Sequence, residues 1–221
     1  MTVLRVVWGR VGSAGLSALA DAFQDASAQG RQADGLVAWN LGIRPSGADH
    51  AVAGFTVWDT ADHALVALGE DLPSNPTLGR LGAAAEYFRA DFYEIEAARV
   101  HTVRGDTAFL RVATGLLPSL SEAEILGEMR QRLPLVGPEV VEAYVGRRLV
   151  GRRVEVAFVS VWVRIPDVRQ LEMPLWPDLA SRKESFTVQT FFVVRGGIAA
   201  ASRALPADLA SSLAANGPSD A

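Results

Sequence analysis

The stretch that decides the fold is Gly54-Phe55-Thr56-Val57-Trp58-Asp59, which recurs about a hundred residues later as Ala157-Phe158-Val159-Ser160-Val161-Trp162. Aligning Trp58 with Trp162 sets an offset of 104 residues (162 − 58), and further segments match at nearly the same offset. They are Leu4-Arg5-Val6 with Leu110-Arg111-Val112, Gly42 with Gly146, and Arg44 with Arg148. Several matches in the same order at a nearly constant offset indicate an internal duplication.

Each half of the chain carries predicted elements in the order β-α-β-β-α-β. In the first half, β-branched and aromatic runs predict strands over 3–8, 35–44, 50–58 and 91–100, with a turn from Gly9 to Gly15. Helices are predicted between Leu16 and Gly30, after a cap at Asp59 or Thr60, and from Pro76 towards residue 85. This order is that of the split βαβ, or ferredoxin-like, unit.

The second half repeats that order. Strands are predicted from Leu110, over 140–148, up to Trp162 and over 186–194, while Ser121 and Glu124 form a capping box and Pro166 opens a later helix. A bare apolar sheet face needs a partner, so two such units can cover each other. The predicted fold class is therefore α+β. Two ferredoxin-like βαββαβ repeats, 1–103 and 104–198, form an intramolecular dimeric α/β barrel, followed by a tail over 199–221.

The composition excludes several classes of function. The chain has 221 residues, 49% of them hydrophobic, and a net charge of −4 without basic blocks, so nucleic acid is a poor partner. The absence of cysteine rules out disulfides, thiolate metal sites and thiol catalysis, and fits the cytoplasm, which is the expected location. Neither a signal sequence nor an apolar run long enough to span a bilayer is present, so no membrane partner is expected. A monomer suffices for a self-closed barrel, and a homodimer stays possible.

Strand alternation predicts which side chains face the space between the two sheets. Phe55 and Val57 suit packing against helices, which leaves Thr56 and Trp58 facing inward. The same period places further side chains inward, namely Ala38, Asn40, Gly42, Arg44, Glu142, Tyr144, Gly146, Arg148, Ser160 and Trp162. Arg5 and Arg111 are expected inward as well, because the alternative puts a guanidinium under a helix.

The segment Thr56-Val57-Trp58-Asp59-Thr60, with the Ala/Leu helix after it, resembles the antibiotic-biosynthesis-monooxygenase family of dimeric α/β barrels. The resemblance implies a pocket for a flat aromatic or polyketide-like small molecule, which some members oxygenate with O₂ and no metal or flavin. Asn40, a donor of the kind that some members use, and Arg5, which is expected inward, are the candidate catalytic residues that stabilise an enolate or phenolate. The candidate substrate-binding residues are Trp58, Trp162, Thr56, Tyr144, Arg111 and Ser160. No cofactor and no metal are expected.

Two other hypotheses remain open. The first is a non-catalytic barrel that binds a ligand or a partner, since the halves differ at inner positions such as Asn40 against Tyr144, and the arginines could simply pair with Glu94, Glu96 or Glu142. The second is haem binding, which is less well supported. His50, His63 and His101 lack metal-ligand spacing, and Leu68 stands where related haem-degrading barrels carry a histidine.

Overall fold

The computed structural model describes residues 1–12, 15, 35–68, 85–100, 109–119, 121–163, 176–182 and 185–198. Its strands are Val3–Gly12 (β1), Leu36–Ser46 (β2), Asp49–Trp58 (β3), Ala85–Val100 (β4), Phe109–Leu116 (β5), Val140–Val150 (β6), Arg153–Trp162 (β7) and Ser185–Ile198 (β8). The helices are Ala61–Leu68 (α1), Glu122–Arg132 (α2) and Pro177–Ser181 (α3), with a 3₁₀ turn at Leu133–Leu135. The described chain is an α+β fold dominated by antiparallel strands. None of its helices has the length and apolar character needed to cross a membrane.

The described residues fall into two compact units. Unit 1 contains the residues up to Phe92 together with those from Phe191 onward, and unit 2 runs from Tyr93 to Thr190. The chain therefore leaves unit 1 in the middle of β4 and returns to it in the middle of β8. The predicted repeats, 1–103 and 104–198, divide the chain by sequence order and stay a prediction.

Unit 1 has the strand order β1-β3-β2-β8. β3 pairs antiparallel with β1, so that Val3 faces Trp58 and Arg5 faces Thr56. On its other side β3 pairs with β2, and the hairpin between them turns at Gly47, whose positive φ of 64° suits glycine. The outer edge of β2 pairs with β8, from Ala38 opposite Ile198 to Ile43 opposite Phe192.

Unit 2 repeats this arrangement in the order β5-β7-β6-β4. Arg111 faces Ser160 and Phe109 faces Trp162, as Arg5 and Val3 face Thr56 and Trp58 in unit 1. The β6–β7 hairpin turns at Gly151 with a φ of 65°, at the same offset of 104 (151 − 47) from Gly47. The outer edge of β6 pairs with the last part of β4, from Glu94 to Val100. The strands of unit 2 are thus paired in the same register as those of unit 1, at nearly the offset of the sequence repeat.

Several local predictions need correction. β1 continues through Gly9 to Gly12 rather than turning at Gly9, because these residues pair with β3 as far as Asp49. β4 begins at residue 85, where the end of a helix was predicted. Ser121 does lie at the N-cap of α2, but its side chain makes no capping hydrogen bond. The predictions for 16–30, 76–84, Pro166, His101 and the tail from 199 lie outside the described residues.

The start of α1 follows the prediction. The backbone N–H of His63 donates to Thr60 Oγ1 at 3.1 Å, so Thr60 supplies the cap. Beside it, His63 Nδ1 and Asp59 Oδ1 lie 2.6 Å apart, and the Asp59 N–H donates to the Gly35 carbonyl at 2.9 Å. A Cβ on Gly35 would lie only 2.2 Å from His63 Nδ1, which explains why glycine, with a φ of 80°, stands there.

One face of each sheet packs against helices and is called the helix face. In unit 1, Trp58 clusters with Val3, Leu36 and Ala64, the last of which belongs to α1. In unit 2, Trp162 clusters with the buried residues Ile125, Leu126 and Met129 of α2. The side chains that alternate with these form the opposite face of each sheet.

The register corrects the predicted orientation of six side chains. Arg5, Thr56 and Trp58 share the helix face in unit 1, and Arg111, Ser160 and Trp162 share it in unit 2, whereas all six were expected on the opposite face. The physical reason is that both faces of β3 and β7 are apolar and buried. Phe55 and Val57 are each 1% exposed, like the helix-face residue Trp58 at 4%, so hydrophobicity did not distinguish the faces. The prediction that Asn40 and Tyr144 point away from the helices was right: Asn40 shares a face with Phe55, and Tyr144 with Val159.

Candidate functional site

The opposite face of unit 2 carries a buried polar pair made by Glu142 and Tyr144 on β6. The Tyr144 hydroxyl donates to Glu142 Oε2 at 3.2 Å, and the two residues are 3% and 2% exposed. Burial, followed by the charge of Glu142 and the hydrogen bond to it, raises the pKa of Tyr144 well above its ordinary value. The phenol therefore stays protonated at neutral pH and acts as a hydrogen-bond donor.

Further along the same face, Arg148, Glu155 and Tyr93 form a second polar cluster. Arg148 Nε donates to Glu155 Oε2 at 2.5 Å, and the Tyr93 hydroxyl donates to the same oxygen at 3.2 Å. The Arg148 guanidinium carbon also lies 5.0 Å from the centroid of the Tyr93 ring. The charge of this arginine is thus neutralised within unit 2.

The opposite face of unit 1 carries Asn40 and Arg44 on β2. Asn40 is 2% exposed and occupies the position that corresponds to Tyr144. The Arg44 guanidinium carbon lies 5.5 Å from the centroid of the Phe191 ring, and the Trp8 ring lies 6.3 Å from that ring with 58° between the planes. Arginine over an aromatic face is a favourable contact, and Trp8 extends the aromatic wall beside it.

Each helix face carries the same three-residue group, an arginine opposite a hydroxyl that accepts from a tryptophan. Trp58 Nε1 donates to Thr56 Oγ1 at 2.8 Å, and Trp162 Nε1 donates to Ser160 Oγ at 2.9 Å. Buried indole N–H groups need such an acceptor. Because the hydroxyl satisfies the indole, both tryptophans can pack among apolar neighbours as core residues.

The arginines of these groups are buried cations. Arg5 and Arg111 are 7% and 3% exposed, and burial lowers the pKa of each to about 10, so both remain charged at neutral pH. The guanidinium carbon of Arg111 lies 5.7 Å from the centroid of the Trp162 ring. The Nε atoms of both arginines are buried and make no hydrogen bond, but Arg111 has the ring contact and further interactions in addition. Desolvation of Arg5 is therefore less well offset.

The sheets thus divide the predicted site residues between two faces. Asn40 in unit 1 and Tyr144 in unit 2 each lie on the face that points away from the helices, as predicted. Arg5, Thr56 and Trp58, with their unit 2 counterparts, lie on the helix faces. Glu94 and Glu96, two of the carboxylates considered as partners for the arginines, both contact Arg147.

Sequence reasoning missed the partners that complete the opposite faces. Glu142, Arg44 and Arg148 were placed inward but not among the candidate site residues, and Tyr93 and Phe191 were not considered. The repeat itself held a usable signal, because Arg44 and Arg148 match at the offset of 104. Their aromatic partners lie on β4 and β8, whose pairing with β6 and β2 is not visible in the sequence pattern.

The described residues hold no group of three or more histidine, cysteine, aspartate or glutamate side chains placed to bind a metal ion. His63 is engaged with Asp59 at the start of α1, and His50 lies near the β2–β3 hairpin. His101 lies outside the described residues.

No family model and no curated protein match this chain. Solved structures do. A candidate monooxygenase from Fusobacterium nucleatum has a TM-score of 0.71 at 10% identity, covering 89% of this chain and 94% of its own. A second, from Lactobacillus acidophilus, has a TM-score of 0.68 at 10% identity, covering 89% and 96%. An anthrone oxidase-like protein has a TM-score of 0.58 at 12% identity, covering 91% and 94%. At these identities the likeness establishes a shared α+β, ferredoxin-like fold.

Proposed function

We propose that this chain is a small-molecule enzyme of the cofactor-independent monooxygenase type, acting on an aromatic or polyketide-like substrate. The observation that supports it most is the buried Glu142–Tyr144 pair, within a fold shared with candidate monooxygenases. A carboxylate can accept a proton while an adjacent phenol donates a hydrogen bond to the oxygen that becomes negative. The closure of the two repeats into an intramolecular barrel stays a prediction.

The reaction proposed for this pair begins with proton transfer. Glu142 accepts a proton from an activated carbon of a substrate R₂CH₂, and the single O–H of Tyr144 then turns from Glu142 to donate to the enolate oxygen conjugated with that carbon. O₂ adds to the carbanion, and return of the proton gives the hydroperoxide R₂CH–OOH. Loss of water yields the ketone, so that R₂CH₂ + O₂ gives R₂C=O + H₂O. The electrons for reduction of O₂ come from the substrate alone.

Asn40 belongs to unit 1, and its role as an amide donor to a substrate oxygen stays a prediction. Arg5 is less suited to its proposed catalytic role, because it lies on the helix face with Thr56 rather than on the face of Asn40. The roles of Trp58, Trp162 and Ser160 in substrate binding stay predictions, and their packing beside helices favours a structural role.

Oxygen uptake in the presence of an anthrone tests this proposal. The natural chain should consume O₂ faster than the protein-free solution, which corrects for autoxidation, and should form the anthraquinone in equal molar amount. Glu142→Gln keeps the shape of the side chain but not its basicity, and should lower the rate about a hundredfold.

Glu94→Gln is the matched control, since Glu94 is a half-exposed partner of Arg147 in the same unit. Its rate should equal that of the natural chain. Uptake at the protein-free rate by the folded natural chain across several anthrones would overturn the proposal. Equal losses in the two variants would remove Glu142 from the mechanism.

A further inference from the structure

The two units carry the same arginine–aromatic contact at equivalent positions. Arg44 lies over Phe191 at 5.5 Å in unit 1, and Arg148 lies over Tyr93 at 5.0 Å in unit 2. In each case the arginine belongs to the second strand of a repeat and the ring to a strand that pairs with it. Since the contact is duplicated, any difference around it marks a change made to one copy.

The difference is the counter-ion. In unit 2 the residue paired with Arg148 across the hairpin is Glu155, whose carboxylate accepts from Arg148 Nε at 2.5 Å. In unit 1 the residue paired with Arg44 is Ala51. Glu155 and Ala51 match at the repeat offset of 104 (155 − 51). In unit 2 the arginine is therefore neutralised by a carboxylate of its own sheet. Unit 1 has lost, or never had, a carboxylate at the equivalent position.

No other carboxylate in the part of the chain that the structure describes replaces it. The nearest acidic residue in the hairpin, Asp49, is engaged by Arg10, whose Nε lies 2.9 Å from Asp49 Oδ2. Among the described residues, the Arg44 guanidinium contacts the Phe191 ring. A guanidinium has five N–H donors, and the face of a benzene ring accepts none of them strongly. Arg44 thus offers a planar, two-pronged donor edge beside an aromatic wall.

We propose that Arg44, Trp8 and Phe191 form a subsite in unit 1 for an anionic group, a carboxylate or phenolate, carried on an aromatic ring. Phe191, 1% exposed, contacts the guanidinium, and Trp8 supplies apolar surface for the ligand ring. Arginine and carboxylate form paired, charge-assisted hydrogen bonds. The equivalent position in unit 2 is closed to anions by Glu155. This names the substrate class for the proposed enzyme and rests on that function, but binding is measured separately from turnover.

Equilibrium binding of anthracene-2-carboxylate to the full chain, with anthracene-2-carboxamide as its neutral isostere, tests the subsite. Fluorescence anisotropy of the anthracene reports both affinities. The natural chain should bind the carboxylate about tenfold more tightly than the amide, as expected for one charge-assisted pair. The net charge of −4 works against non-specific attraction of anions, so a preference requires a local site.

Three variants locate that preference. Arg44→Met should abolish it while leaving amide binding within about twofold, because Met retains the apolar stem. Ala51→Glu copies the unit 2 arrangement into unit 1, and should abolish the preference with Arg44 still in place. Arg148→Met, the matched control in unit 2, should leave it unchanged. Circular dichroism confirms that each variant is folded.

A preference that survives in folded Ala51→Glu, or that disappears in Arg148→Met, would overturn the subsite, as would equal affinity of the natural chain for both probes. The outcome is independent of oxygen uptake. A chain that binds the carboxylate selectively and consumes no O₂ keeps the subsite and loses the monooxygenase proposal. A chain that oxidises anthrones but binds the two probes equally keeps the monooxygenase proposal and loses the subsite.

Discussion

Replacing Arg5 by methionine should stabilise the protein, although it removes a buried polar residue. The side chain is 7% exposed, its Nε makes no hydrogen bond, and burial lowers the pKa of Arg5 to about 10. Since burial lowers the proton affinity of this guanidinium by roughly a few hundredfold, and each tenfold change is about 1.4 kcal/mol, keeping the cation buried costs about 3 kcal/mol. Methionine fills a similar volume without charge.

The expected gain in the free energy of unfolding is about 1–3 kcal/mol, because some packing and backbone relaxation offset the full desolvation term. In a chain of this size that raises the melting temperature by about 3–10 °C. Urea unfolding followed by tryptophan fluorescence measures it directly. Arg111→Met is the control, since Arg111 occupies the same position in unit 2 and contacts the Trp162 ring. It should gain less, or lose stability.

The pH dependence of the stability gained by Arg5→Met follows from the lowered pKa of Arg5. The pKa of Arg5 is about 10 in the folded chain and higher in the unfolded chain, so above about pH 10 the unfolded chain binds more protons and stability rises with pH. Below about pH 10 the penalty is fully present. The advantage of Arg5→Met should therefore be constant from pH 6 to 9 and should shrink above about pH 10. A loss of about 1 kcal/mol or more on Arg5→Met at pH 7 would refute the reasoning, since it would mean that the guanidinium is held by stabilising contacts.

Three further changes have defined outcomes. Thr60→Ala removes the cap on the His63 N–H, and thermal unfolding should show a loss of about 1 kcal/mol. Gly35→Ala combines a positive φ with a Cβ 2.2 Å from His63 Nδ1, and should cost more than Gly151→Ala, where φ is also positive but the space is open; the latter alone should cost about 1 kcal/mol in urea unfolding. Tyr144→Phe removes the hydrogen bond to a buried carboxylate and should lower the free energy of unfolding by about 1–3 kcal/mol, measured in the same way.

The sequence predicted the repeat more accurately than the site. Matching Trp58 to Trp162 located the equivalent strands of the two halves, because strand composition is a local signal. It failed to orient β3, since Phe55 and Trp58 are both buried and alternation distinguishes faces only when one of them is polar or exposed. The prediction that a guanidinium would avoid the helix face was wrong for Arg5 and Arg111, where burial is tolerated at a lowered pKa.

The residues that contact the polar side chains could not be predicted from the sequence, for a different reason. Arg44 lies 147 residues (191 − 44) before Phe191, and the contact depends on β8 pairing with β2. Composition and period describe one strand at a time, so they do not reveal which strand will pair with an edge. A comparison of the two halves at the repeat offset would have revealed the difference between Ala51 and Glu155. Such a mismatch, close to two arginines that match, is visible in the sequence alone.

The pairing of β2 with β8 has a consequence for how the protein is made. A ribosome adds about 5–20 residues per second, so roughly ten to forty seconds pass between the start of synthesis and the appearance of Ile198. During that time β1, β2 and β3 can form a three-stranded sheet with β3 in the middle, but the N–H and C=O groups along the outer edge of β2 have no partner strand. An open edge of this kind invites pairing between nascent chains. The N-terminal sheet is therefore the first to begin and among the last to be finished.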